Sequence, residues 1–209
     1  MSVPVYLAVK NEVFIHYPRH LIIQTGYGIQ KSGELRIPKS PINGPVMVDD
    51  AVLESRTPNV LSELSKYCWN GYILDFERPF CSEHRKIIAG LPQEKLLALP
   101  AQYFSSGMPG LPILACTKPC NSWMQFLRKN SQQFPEGWML EITPWNFRRR
   151  VPCLDGNGIL TAAVCRYRIE NSILTCYDTV ETLKEKLKQA EKEGCRAGIA
   201  LLEEVQNLK

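Results

Sequence analysis

The stretch NGYILDFERP, residues 70–79, runs from Tyr72, Ile73 and Leu74 straight into two carboxylates, Asp75 and Glu77, before Arg78 and Pro79 close it. A short apolar run bounded by Gly71 and Pro79 reads as a buried strand. Strand side chains alternate between faces, so residues two apart project to the same side. Asp75 and Glu77 are therefore expected to point together, into solvent or into a shared pocket.

Similar runs recur on both sides of this one: VYLAV (5–9), LIIQTGYG (21–28), PVMVDD (45–50), LLALPAQY (96–103), PILACT (112–117), GWMLEITPW (137–145) and AGIALLEE (197–204). Several are almost continuously apolar, the pattern of strands covered on both faces. Helical patterns lie between them at 57–69, 81–91, 121–134 and 179–194. In the last, Asp178 and Glu181 predict a capping box, Val180, Leu183, Leu187 and Ala190 an apolar face, and Gly194 a stop. Eight strands alternating with helices predict an α/β fold, a compact (β/α)8 TIM-type barrel. With 209 residues, some of its helices must be short or missing. Residues 26–44 read as a loop, and residues 158–177 as a β-hairpin insertion turning at Glu170, Asn171 and Ser172. No repeat or linker is visible, so residues 1–209 read as a single barrel domain.

Bulk composition narrows the function classes. A hydrophobic content of 44% with 22% charged residues suits a folded core. The formal charge of +4 is spread along the chain except at Arg148, Arg149 and Arg150, so nucleic acid is not an expected partner. The eight cysteines do not form metal-binding pairs: Cys116 and Cys120 have no second pair or histidine at zinc-site spacing, and no metal or other cofactor is expected. No run approaches the roughly 20 apolar residues that span a membrane, and the N-terminus carries no secretory signal pattern. The expectation is a reduced, intracellular, cytoplasmic protein.

In a barrel of this kind the active site lies at the C-terminal ends of the strands. Those ends are polar here: Asp49 and Asp50, Asp75 and Glu77, Gln102 and Tyr103, Glu141, Thr143 and Trp145, and Glu203 and Glu204. Two acids held close in a partly dry pocket do not both ionise easily, so one keeps a proton that it can donate near neutral pH. Protonating a glycosidic oxygen needs such a group. The plainer reading is that the acids cap the next helix or pair with Arg78. His16, His20 and His84 stand apart and are expected at the surface, and Arg148–Arg150 in a solvated loop.

NGYILDFERP resembles the fourth-strand motif of the family 18 glycoside hydrolases, the chitinase-like barrels, D-G-x-D-x-D-x-E followed by an aromatic and Pro. Gly71 matches the glycine, Asp75 the last aspartate, Phe76 the residue before the acid, Glu77 the proton donor and Pro79 the proline. The segment CYDTVETLKEKLKQAEKEGCRAGIALLEE is similar to the family's closing segment, in which a Tyr-Asp pair follows a hairpin and a helix leads to strand eight. The resemblance implies substrate-assisted cleavage without an enzyme nucleophile. Glu77 would be the acid and then the base, and Asp75 would orient the acetamide of an N-acetylglucosamine-type glycan. Tyr103, Gln102, Glu141, Trp145 and Asp49 would line the substrate. Asn70 and Ile73 replace the two outer aspartates, the sixth-strand M-x-Y-D pattern is not visible in PILACT, and Leu201 or Leu202 stands where strand eight usually has tryptophan. These departures keep a second reading open: a catalytically inactive barrel that binds carbohydrate or a protein partner. A third, a barrel enzyme for a phosphorylated small molecule, rests on the arginine run alone.

Overall fold

The computed structural model describes residues 3–10, 17–29, 35–41, 44–50, 70–77, 79–115, 123–144, 146–150 and 164–206. All eight apolar runs form strands: β1 (Val5–Val9), β2 (Ile22–Ile29), β4 (Val46–Asp49), β5 (Tyr72–Asp75), β6 (Leu96–Pro100), β7 (Leu111–Ala115), β8 (Trp138–Glu141) and β12 (Cys195–Leu201). Their order is β1-β12-β8-β7-β6-β5-β4-β2, and β1 also pairs with β2, which closes the ring. The fold is a closed eight-stranded parallel β/α barrel of TIM type. A short β3 (Leu35–Arg36) adds antiparallel to β2, inside the segment expected to be a loop.

Few helices accompany the strands among the described residues: α1 (Ser82–Gly90), α2 (Trp123–Gln133), α3 (Val180–Lys192) and the single turn α4 (Leu202–Val205). The helix expected at 57–69 lies outside the described residues. Between β6 and β7 the connection has only a 3-10 turn, Ala101–Tyr103. Gln102 and Tyr103, expected on a strand, stand on that turn because β6 ends at Pro100. Glu203 and Glu204 likewise stand on α4 rather than on the last strand.

The chain divides into two compact units, Tyr6–Leu114 and Met1–Val5 with Ala115–Lys209. In the first, alternation assigns each strand face a role. Val46, Val48, Tyr72, Leu74 and Phe76 pack with Ile87, Ile88 and Leu91 of α1 and with Leu96, Leu99 and Tyr103. Met47 and Ile73, register partners on the opposite face, are buried as well. Both faces are thus covered, which is why these runs are continuously apolar. Burial of each large side chain from α1 contributes about 1.5–3 kcal/mol. The Tyr72 hydroxyl donates to the Pro92 carbonyl at 2.7 Å, fastening the turn after α1 to the foot of β5.

In the second unit, β8 and β12 pair in parallel and the Gly198 N–H donates to the Pro4 carbonyl. Helix α3 begins with a capping box, but Thr179 and Thr182 form it rather than Asp178 and Glu181. Asp178 is instead drawn into the interior, where its two oxygens accept from the Lys186 ammonium at 2.9 and 2.8 Å. The apolar face expected on α3 is therefore mixed: Ala190 is buried, and so are Thr182 and Lys186. Of the segment expected as a hairpin insertion, residues 158–163 lie outside the described residues, and β10 (Arg166–Glu170) and β11 (Ile173–Tyr177) pair antiparallel in the rest. Its turn residues, Asn171 and Ser172, have φ of 49° and 60°, the left-handed pair of a two-residue hairpin loop. Residues 146–150 form a third strand, β9, antiparallel to β11, so the arginine run lies in a strand and not in a loop. Among the described residues no helix is long and apolar enough to cross a membrane.

Candidate active site

The carboxylates at the ends of β4 and β5 are sorted by strand parity. Asp49 and Asp75 are register partners on the face turned away from α1, following Met47 and Ile73. Adjacent strands lie about 4.8 Å apart, so the two acids stand side by side. Each is partly buried. Asp50, one residue on, takes the opposite parity and is 2% exposed.

Asp49 is held by an arginine that sequence reasoning missed. Its Oδ2 accepts from Arg36 Nη2 at 2.7 Å, and Arg36 Nε also donates to the Gly26 carbonyl. Gly28, the register partner of Asp49 on β2, makes room for this pair: a Cβ there would fall 2.5 Å from Asp49 Oδ1 and 2.8 Å from Arg36 Nη2. The arginine is brought close because β3 folds back on β2, and residues 26–44 show no periodicity that would announce that strand.

Glu77 departs from the expected strand geometry. β5 ends at Asp75, so strict alternation does not extend to Glu77, which is exposed on the loop that follows. Its backbone is anchored from below, as the Glu77 N–H donates to Asp50 Oδ1 at 3.1 Å. Phe76 between them faces the core, with its ring 4.6 Å from that of His84.

His84 is not at the surface but is fully buried. It stands three and four residues before Ile87 and Ile88, on the helix stripe that faces the strands. That spacing is the signal that could have found it. Its Nδ1 lies 2.5 Å from the Tyr103 hydroxyl, and its Nε2 is 3.6 Å from Asp50 Oδ2. Tyr103 is buried rather than open to a groove, and burial raises its phenol above the ordinary value. Gln102 beside it is exposed.

In the other unit, Glu141 is the last residue of β8, partly buried, and accepts from the Thr143 hydroxyl at 3.3 Å. Trp145 and His16 lie outside the described residues, and His20 is exposed. Among the described residues no group of three or more His, Cys, Asp or Glu is placed to hold a metal ion. The structure thus brings Asp49, Asp75 and Glu77 to the C-terminal ends of two neighbouring strands. Such a group can offer a proton to a leaving oxygen and a negative charge to a developing cation.

No family model matches the chain, and no curated protein matches it. Solved structures do resemble it. A class V chitinase from Nicotiana tobaccum, a glutamate-to-glutamine mutant in complex with NAG4, superposes with a TM-score of 0.61 at 11% identity, covering 96% of this chain and 93% of the chitinase. The spore cortex-lytic enzyme SleL of Bacillus megaterium QM B1551 gives 0.57 at 10% identity over 95% of this chain and 70% of SleL. SleL of Bacillus cereus gives 0.55 at 10% identity, over 100% and 72%. At these identities the likeness is one of fold, and it places the chain among barrels built like the chitinases.

Proposed function

We propose that this protein hydrolyses a glycan containing N-acetylhexosamine by substrate-assisted acid/base catalysis. The observation that carries the reading is the placement of Asp75 at the C-terminal end of β5, with Glu77 just beyond it on an anchored and exposed loop. The fold is also that of a chitinase whose structure holds NAG4. In the proposed reaction Glu77, protonated, gives its proton to the glycosidic oxygen as the C1–O bond breaks. The acetamido carbonyl oxygen of the sugar bonds to C1 from the opposite face. Asp75 accepts a hydrogen bond from the acetamide N–H and offsets the positive charge that develops on the ring. Glu77, now a carboxylate, takes a proton from the water that attacks C1 as the bond from C1 to the acetamido oxygen breaks, which restores the acid and the acetamide and retains the configuration. Asp49 beside Asp75, and the exposed Gln102 on the turn after β6, are the substrate contacts this unit offers.

A second reading has its own observation. Ile73 is fully buried where the family motif carries its middle aspartate, so Asp75 has no acidic neighbour on its own strand. A catalytically silent carbohydrate-binding barrel fits that substitution. The two are separated by following N-acetylglucosamine tetramer by proton NMR. Appearance of product first as the retained anomer supports hydrolysis. Saturation transfer to the intact tetramer without product supports the binder.

A further inference from the structure

We propose that Asp50, His84 and Tyr103 form a buried positioning relay that fixes the loop carrying Glu77. This inference rests on the reading of Glu77 as the acid, yet the relay itself is visible without it. The three residues come from the end of β4, from α1 and from the turn after β6, and their exposures are 2%, 0% and 5%. All of them touch residues just before or after Glu77, or Glu77 itself: Phe76, Glu77, Pro79, Phe80 and Cys81.

The segment is held at both ends. At its start the Glu77 N–H donates to Asp50 Oδ1. At its close the Cys81 N–H donates to the Tyr103 hydroxyl at 3.2 Å, and the Pro79 carbonyl lies 3.4 Å from the same oxygen. Cys81 is the N-cap of α1 and its side chain makes no cap bond, so the tyrosine oxygen serves one of the helix's otherwise unserved first amides. Between the two anchors stands the imidazole. Its Nε2 stands 3.6 Å from Asp50 Oδ2, and its Nδ1 lies against the Tyr103 hydroxyl.

Ring contacts reinforce the same hub. Tyr103 meets Phe76 edge-on at 6.1 Å and stacks on Phe80 at 5.1 Å. The exposed Phe80 ring also carries the Arg85 guanidinium 4.8 Å from its centroid. The Glu77 amide is therefore pinned to a buried carboxylate and the Cys81 amide to a buried oxygen, while the Glu77 side chain stays exposed. An acid that must reach a leaving oxygen within a fraction of an ångström needs such a frame. None of the three relay residues is assigned contact with substrate; they act through the backbone of Glu77, Pro79 and Cys81.

The test uses Tyr103→Phe, which keeps the ring and removes the oxygen, with Asp50→Ala and the conservative Asp50→Asn. Amide hydrogen exchange is followed by mass spectrometry across the whole chain, and kcat and KM are measured on a chromogenic N-acetylglucosamine oligosaccharide. The relay predicts at least tenfold faster exchange confined to peptides spanning 76–81 in Tyr103→Phe and Asp50→Ala. Asp50→Asn, whose amide oxygen still accepts from Glu77, should retain protection at the start of the segment. Tyr103→Phe should lower kcat about tenfold with KM within twofold. Unchanged exchange at 76–81, or exchange that rises equally in α3, would overturn the relay. Should the wild type show no turnover, the hydrolase reading fails, and the exchange pattern alone still decides the relay.

Discussion

Asp49 and Asp75 stand in register at the last positions of β4 and β5, one tied to Arg36 and the other beside the loop of Glu77. The proposed mechanism gives the two acids different roles. Asp75→Asn should lower kcat by at least about 100-fold, since an amide cannot offset ring charge. Asp49→Asn removes a half-exposed ion pair, for which a stability change below about 1 kcal/mol is expected. Urea denaturation alongside turnover separates the two effects.

The room that Gly28 provides is needed by this pair. A methyl group at that position would overlap both Asp49 and Arg36. Gly28→Ala should displace the ion pair, and because a Cβ there meets only the outer ends of two partly exposed side chains the cost should stay below about 1 kcal/mol. A urea midpoint shift at constant slope measures it, and the shift should shrink in an Asp49→Ala background.

Asp178 and Lys186 make a buried ion pair, with side chains 0% and 3% exposed, beneath the start of α3. Lys186→Met leaves a buried carboxylate without its cation and should cost about 3–5 kcal/mol. Replacing both, as Asp178→Leu with Lys186→Met, should cost less than the single change. Thermal or urea unfolding of the three proteins provides the cycle.

Alkali should unfold the chain earlier than its charge alone suggests. Burial pushes the Cys195 and Cys165 thiols up to about 11 from 9.0, and burial followed by the Glu94 carboxylate raises the Tyr72 phenol as well. Raised acids favour the protonated form in the folded state. Their contribution is whole below pH 9, where both states hold the proton, and is lost as pH rises toward 11, where the unfolded chain sheds it first. Unfolding free energy should fall between pH 9 and 11, and Cys195→Ala should flatten that fall.

All eight barrel strands are legible in the sequence as apolar runs, most plainly β4 and β5, where both faces are covered: Met47 and Ile73 on one side, Val46, Val48, Tyr72 and Leu74 on the other. Strand ends are less so. Where β5 stops depends on Asp50, which captures the Glu77 amide from 27 residues away, and no local pattern carries that. The same holds for Asp178, which looks like a cap until Lys186 is found two turns along the helix. Asp75 and Glu77 are legible as a pair of strand-end acids. Arg36 is not, since a two-residue strand has no periodicity to read. His84 was hidden only by treating a histidine as a surface residue, for its spacing to Ile87 and Ile88 places it in the core.

The central claim is that Glu77 is the acid of a glycosidase. Its most direct test is fluorophore release from N-acetylglucosamine oligosaccharide glycosides by the wild type and by Glu77→Gln between pH 4 and 8. The account predicts turnover by the wild type that falls by at least about 1,000-fold in the mutant, with substrate binding retained. Equal turnover in the two proteins would contradict the assignment of Glu77. Its absence in both, with glycan binding that survives the mutation, would make the protein a carbohydrate-binding barrel instead.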